Sequence, residues 1–179
     1  KCSYKTFWTG NKYIKFMHIL IKNKSLHFGN YKVKCAIGKR GIGVKKREGD
    51  MITPIGSYKI KDIFYRSDKV KNFRTKFTKK KINKKLGWCD DPKSKKYNKL
   101  IKLPFKFNFE RLYRADGIYD IIIVLNYNTK PIRKNKGSAI FIHIAKNNFA
   151  PTKGCIALRR KDIKKIAREV NKRTLIKII

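Results

Sequence analysis
Seven short apolar runs, rich in β-branched and aromatic side chains, punctuate this chain: His18 to Ile21, Tyr31 to Ile37, Ser57 to Phe64, Tyr119 to Leu125, Ala139 to Ile144, Cys155 to Leu158 and Thr174 to Ile178. Runs of this length and composition form strands and are too short for ordinary helices. Gly29-Asn30, Thr53-Pro54 and Asn126 to Pro131 supply turn and loop chemistry between them. One helical period stands out, over Lys161 to Lys172. There Asp162 opens a segment with Ile163, Ile166, Ala167 and Val170 on one face. The expected fold is therefore mainly β with some α. Residues 66–118 fit neither pattern: basic runs alternate with Trp88, Pro92 and Pro104. They are expected to form a long irregular excursion that caps the sheet, and such insertions often serve as lids or binding elements. The 179 residues suffice for one domain with a real core and are few for two.

Two of the strand-like runs carry chemistry. His143 closes one, and Cys155 opens the next, directly after Gly154. A thiol near pH 7 is mostly protonated and a weak nucleophile, whereas an imidazole within reach can take its proton. A strand, a loop over Asn147 to Lys153 and a returning strand bring Cys155 beside His143. Gly154 lets the backbone approach a substrate and leaves N–H groups for a developing oxyanion. Cysteine is also among the most buried residue types, so the spacing alone equally fits a core thiol and a core imidazole.

The wider pattern goes further. The segment resembles the catalytic segment of the YkuD-type L,D-transpeptidases, whose signature is a strand histidine followed by Ser/Thr-x-Gly-Cys. Here those residues are His143 and Thr152-Lys153-Gly154-Cys155. Upstream, Cys35-Ala36-Ile37-Gly38, Lys46-Arg47-Glu48-Gly49-Asp50, Thr53-Pro54-Ile55-Gly56, Gly87-Trp88-Cys89-Asp90-Asp91-Pro92, Tyr97-Asn98, Tyr119-Asp120 and Gly137-Ser138-Ala139-Ile140-Phe141 resemble, in order, a branch with a short His-to-Cys loop. The resemblance runs from about residue 18 to the C-terminus. It departs at Lys153, where many members have histidine, and at Ala157, where many have arginine; Arg159 and Arg160 lie close by.

The resemblance implies a β-sandwich-like catalytic domain over 17–179, after a basic extension over 1–16. It implies a thioester between Cys155 and a peptidoglycan stem peptide, with His143 as general base and acid. The Gly154 and Cys155 N–H groups would form the oxyanion site, and Thr152 would orient either the imidazole or its own turn. An amine of a second stem then gives a cross-link, and water gives hydrolysis, so a carboxypeptidase or cross-link-cleaving enzyme is the alternative. Arg47, Trp88, Asp91 and Tyr127 are implied substrate contacts, against structural roles in turns and core. No metal or cofactor is implied, and a cell-envelope, periplasmic setting follows from the substrate. Cys35 and Cys89 lie in family-like segments, so they are either paired or buried free thiols.

Charge and the remaining motifs bound the partners. The net charge of +37 draws the chain towards anionic envelope polymers, membrane surfaces or nucleic acid, and a basic binding protein without catalysis is a third reading. A lysine bias spread over the whole sequence is the favoured origin of the charge, and the attraction to anions holds whatever that origin. No zinc-ligand spacing, Walker loop or dinucleotide fingerprint occurs, and Gly38 to Gly43 has the wrong spacing for one. No specific nucleic-acid module is expected. No run is long and apolar enough for a transmembrane helix, and no signal-peptide pattern is visible.

Overall fold
The structure is a computed structural model and describes residues 18–179. The expected extension over 1–16 lies outside the described residues. The strands are β1 (Ile19–Lys22), β2 (Ser25–Phe28), β3 (Tyr31–Lys34), β4 (Ile42–Gly43), β5 (Thr53–Pro54), β6 (Gly56–Tyr65) and β7 (Lys79–Lys81). They continue with β8 (Leu86–Cys89), β9 (Leu100–Lys102), β10 (Phe109–Arg111), β11 (Ile121–Leu125), β12 (Phe141–Ile144), β13 (Ile156–Leu158) and β14 (Leu175–Ile178). The helix α1 (Arg160–Glu169) is short of the expected end because Val170 adopts extended backbone. Each of the seven expected strands is present with shifted bounds: the one expected over Tyr31 to Ile37 ends at Lys34, those expected from Tyr119 and Ala139 start at Ile121 and Phe141, and the one expected over Ser57 to Phe64 extends to Gly56 and Tyr65. Thr53-Pro54, expected as a turn, instead pairs with β4 in a two-residue parallel ladder.

The main sheet runs β13-β12-β11-β6-β14-β1-β2-β3, with β7 beside β6. It curls until its ends meet. The chain leaving β3 crosses to β13, where the Ala36 and Ala157 backbones exchange hydrogen bonds of 2.8 and 2.9 Å. Thr152 N donates to Ile37 O at 2.9 Å, and Lys39 N donates to Thr152 O at 2.9 Å. The result is a nearly closed barrel-like sheet, which leaves few strand edges unpaired. The expected sandwich is in fact this one sheet with separate packing on its two faces.

Those two packings explain the apolar runs. β11 reads Ile-Ile-Ile-Val-Leu without alternation because both its faces are buried. Ile121, Ile123 and Leu125 join the interior core with Ile19, Ile21, Ile142, Ile156 and the α1 residues Ile163, Ile166 and Ala167. Ile122 and Val124 join a second core with Phe64, Trp88, Leu112, Tyr119 and Phe141. The second core lies under residues 66–118. This segment is ordered into β7 and a three-stranded antiparallel sheet, β10-β8-β9, rather than the irregular excursion expected from its sequence. Its strands are three or four residues long, so their alternation is too brief to read in advance. Within α1, Asp162 is fully buried, accepting from Tyr31 Oη at 2.7 Å and pairing with Arg159 at 2.9 Å.

Candidate active site
The sequence elements that frame Cys155 are β12, β13 and the turn between Thr152 and Cys155. β13 runs parallel to β12, with His143 opposite Ala157, so the second strand does not return as expected. The connection climbs back over the barrel end through a 3₁₀ turn at Asn147–Phe149 before re-entering beside β12. In this register Cys155, two residues before Ala157, comes level with Phe141, and both Phe141 and Cys155 pack in the second core. The thiol therefore opens between the barrel and its capping sheet.

The sulfur sits in a defined polar pocket. Cys155 Sγ donates to Ala139 O at 3.1 Å and accepts from Phe141 N at 3.4 Å. Phe141 opens β12, and Ala139 ends a strap, Gly137 to Ala139, with positive φ at Gly137 (93°) and at Ala139 (50°). It is held by Asn98, whose Oδ1 accepts from Ala139 N at 3.1 Å and from Trp88 Nε1 at 3.0 Å. Asn98 Nδ2 donates to Tyr127 O at 3.1 Å and Asn128 O at 2.7 Å. One buried amide thus uses its full capacity to pin the strap against the capping segment.

Thr152 shapes the turn before the nucleophile. Its hydroxyl donates to Cys155 O at 2.6 Å and accepts from Gly154 N at 3.1 Å, and among the described residues no hydrogen bond joins it to the imidazole. Of its two expected roles, the turn is the one its contacts serve. The Gly154 N–H, expected at an oxyanion, is thereby engaged, whereas among the described residues no side chain accepts from the Cys155 N–H. Gly154 has φ of 133°, and a Cβ there would lie 2.9 Å from Ile52 O. Thr53 Oγ1 donates to Gly154 O at 2.9 Å and accepts from Gly38 N at 2.8 Å. Lys45 and Asp50 form a buried ion pair at 2.5 Å, and Lys45 also donates to Ile52 O at 3.2 Å. That pair fixes the floor on which Gly154 rests.

His143 is buried on β12, with its ring edge-on to Tyr119 at 5.3 Å between centroids. Nδ1 lies 2.9 Å from Ile144 O, a carbonyl that can only accept, so Nδ1 carries the proton and Nε2 is the free base. Burial lowers the imidazole pKa to about 4. Burial, reinforced by the Glu110 carboxylate, pushes the Cys155 thiol up to about 12, against smaller opposing effects of the Phe141 N–H and the Lys45 cation. Both groups rest in their neutral forms.

The other expected residues divide. Trp88 is 2 % exposed and stacks edge-on against Phe141 at 5.2 Å, so it forms the wall behind the strap. Asp91 is occupied within its own turn, accepting from Lys93 N at 2.9 Å and Asn108 N at 3.3 Å. Tyr127 donates to Lys136 O and lies edge-on to Tyr58. Arg47 is exposed on the loop that Asp50 organises. Arg159 and Arg160 pair with Asp162 and Asp120 and do not turn to the thiol. Cys35 and Cys89 are buried free thiols, and burial raises Cys35 to about 12. Asn98, Thr53, Lys45 and Glu110 received no individual role from the sequence. The only signal for Asn98 and Thr53 was membership of ordered family-like segments, and Lys45 and Glu110 lacked even that.

The domain is a nearly closed β-barrel that holds a half-buried thiol between two backbone groups, with a neutral imidazole on the neighbouring strand β12. The chain belongs to the YkuD family: the model of the L,D-transpeptidase catalytic domain matches residues 9–178. The family is one of cysteine-dependent, peptidoglycan-acting enzymes of the cell envelope. No match was found among curated protein sequences. Among solved structures, the fold is similar to the helical cell shape determining protein Pgp2 from Campylobacter jejuni, at 17 % identity and a TM-score of 0.52 over 91 % of this chain and 47 % of that one. It is likewise similar to Bd1075 from Bdellovibrio bacteriovorus, at 16 % identity and a TM-score of 0.51 over 92 % of this chain and 48 % of that one. The chain thus spans just under half the length of these structures. Among the described residues, no helix is long and apolar enough to cross a membrane.

Proposed function
We propose that the chain is a peptidoglycan L,D-transpeptidase acting in the periplasm. Cys155 attacks the carbonyl that precedes a terminal D-amino acid of a stem peptide. The observation that supports this reading is the pocket of the sulfur, where Ala139 O accepts a hydrogen bond from the thiol at rest and Phe141 N faces the lone pairs. When substrate enters, rotation of the thiol away from Ala139 O brings its proton to Nε2 of His143 as the S–C bond forms. The Cys155 N–H supports the tetrahedral oxyanion, since Thr152 holds the Gly154 N–H. His143 then protonates the departing amine, which leaves a thioester. An amine of a second stem attacks the thioester, His143 takes its proton, and the thiol is restored with a new peptide bond.

Water in place of that amine makes the same scaffold a hydrolase. Likeness to a cell-shape determining protein supports wall remodelling as the broader role for either outcome. Labelling with a carbapenem tests the nucleophile: intact-mass analysis is expected to show one adduct, absent in Cys155→Ser. An adduct that survives the substitution, or none at all, sinks the catalytic reading and leaves a basic binding protein. Incubation with purified muropeptides then separates the enzymes, since cross-linked dimers require transfer, whereas trimmed monomers alone identify a hydrolase.

A further inference from the structure
Among the described residues, five large apolar side chains are exposed: Val44, Met51, Ile55, Leu100 and Ile179. Four of them gather at one end of the barrel. An open depression there is lined by Ile37, Ile42, Ile55 and Ile179, with Lys24 at its edge. Ile55 N donates to Gly43 O at 2.9 Å, which sets Val44 beside Ile55 as the β4–β5 ladder runs out. Arg40 N donates to Met51 O at 3.1 Å, which ties Met51 to the segment that lines the depression.

Folding does not call for apolar side chains at these positions. Val44 is 73 % exposed and Ile55 is 49 % exposed. Met51 has φ of 59°, a conformation that glycine or asparagine adopts at least cost. Exposed apolar groups clustered in one place, rather than scattered singly, mark a surface that meets a partner.

Charge selects the partner. Residues 21–24, 37–46, 51–56 and 177–179 build this face, and every charged side chain in them is a lysine or arginine. Lys45 is buried against Asp50, whereas Lys22, Lys24, Lys39, Arg40 and Lys46 are exposed. With a net charge of +37, a second copy of the chain would be repelled at this face. An anionic polymer would meet the cations but leave the apolar side chains in water. An anionic bilayer offers both phosphates and an apolar interior, and a surface of this mixture settles at that boundary.

We infer that this barrel end docks on an anionic lipid bilayer, with Val44, Met51, Ile55 and Ile179 entering the headgroup boundary and the surrounding cations on lipid phosphates. The inference does not depend on the catalytic reading. The docking is peripheral. Four partly exposed side chains are too few to hold the chain once salt screens the charges, so the long-range field recruits and this face orients. The loop also carries Ile52, whose carbonyl lies against Gly154, so the docked face and the nucleophile turn are neighbours.

Co-sedimentation with vesicles of phosphatidylglycerol and phosphatidylcholine, at about 0.05 M salt, tests the face. Val44→Ser with Ile55→Ser leaves the net charge unchanged. This double variant is expected to bind the vesicles at least ~10-fold more weakly than the parent. Heparin, an anionic polymer without an apolar interior, is expected to bind parent and variant within about 2-fold of each other. Equal vesicle affinities, or no vesicle binding by the parent, overturn the inference; so does a parallel fall on heparin. Sedimentation equilibrium without lipid adds a further check: a parent dimer that the double variant abolishes gives the face to a second copy and overturns the inference. If circular dichroism shows that the double variant is unfolded, Met51→Gln with Ile179→Gln takes its place, with the same expected fall on vesicles and the same overturning results.

Discussion
The imidazole of His143 is held neutral by its surroundings, and that decides how Cys155 can be activated. A pKa near 4 beside a thiol near 12 excludes a resting thiolate–imidazolium pair, so proton transfer must accompany attack. The pH profile of kcat/KM should therefore show an acid limb near 4 and no basic limb below about 9, whereas a resting ion pair would add a fall between about 7 and 9. The same burial has a cost in stability. Above 6.5 neither folded nor unfolded chain is protonated at this site. Between 6.5 and about 4 only the unfolded chain takes the proton, so stability falls with pH by up to about 1.4 kcal/mol per unit. Urea titrations should show that His143→Gln loses less stability than the parent between about pH 7 and about pH 4.5. Equal losses would mean that the imidazole is not neutral. Asn98 is the other residue on which the site depends. Asn98→Ala would orphan the Trp88 and Ala139 donors and two carbonyls, and Asn98 itself sits at φ of 54°. A loss of about 3 kcal/mol in chemical denaturation is expected. Faster alkylation of Cys155 should accompany it as the strap loosens.

At the scale of elements, the site is a junction of three segments: the strap before β12, the turn before β13, and the loop from Lys45 to Thr53. Gly154 is where the last two touch, and its missing Cβ is what permits the approach to Ile52 O. Gly154→Ala meets both a disfavoured φ and a backbone clash. Thioester formation with a carbapenem should slow by about 100-fold or more, because small misplacements of a nucleophile are costly. Melting should show a fold that persists with a lower Tm, since the interior core is untouched. A variant that labels at the parent rate would show that the turn tolerates displacement. The helix contributes differently. α1 buries Ile163 and Ile166 in the interior core, so Ile163→Ala is expected to cost about 2–4 kcal/mol by urea unfolding while leaving the labelling of the remaining folded protein unchanged.

For the whole molecule, the net charge of +37 sets the long-range field. The lysines of β7 and the outer face of α1 are exposed and add to the field. Binding to vesicles of anionic lipid should be strong at about 0.05 M salt and lost by about 0.5 M, with none to neutral vesicles. Persistent binding at high salt would require specific contacts instead. The field brings the chain to an anionic envelope regardless of why its lysines accumulated, and specificity then belongs to the cleft.

By itself the sequence determined the local elements and the chemistry-bearing pair. Strand length, β-branching and the α1 period are properties of neighbouring residues, so seven strands and the helix could be read from them, as could the motif of Thr152 to Cys155 and the strand of His143. What only the tertiary structure decided involves residues far apart in the chain. The parallel entry of β13, the closure of Ala36 on Ala157, the capping sheet over the second core and the hub at Asn98 each depend on backbone groups more than thirty residues away or on a crossover whose direction composition does not encode.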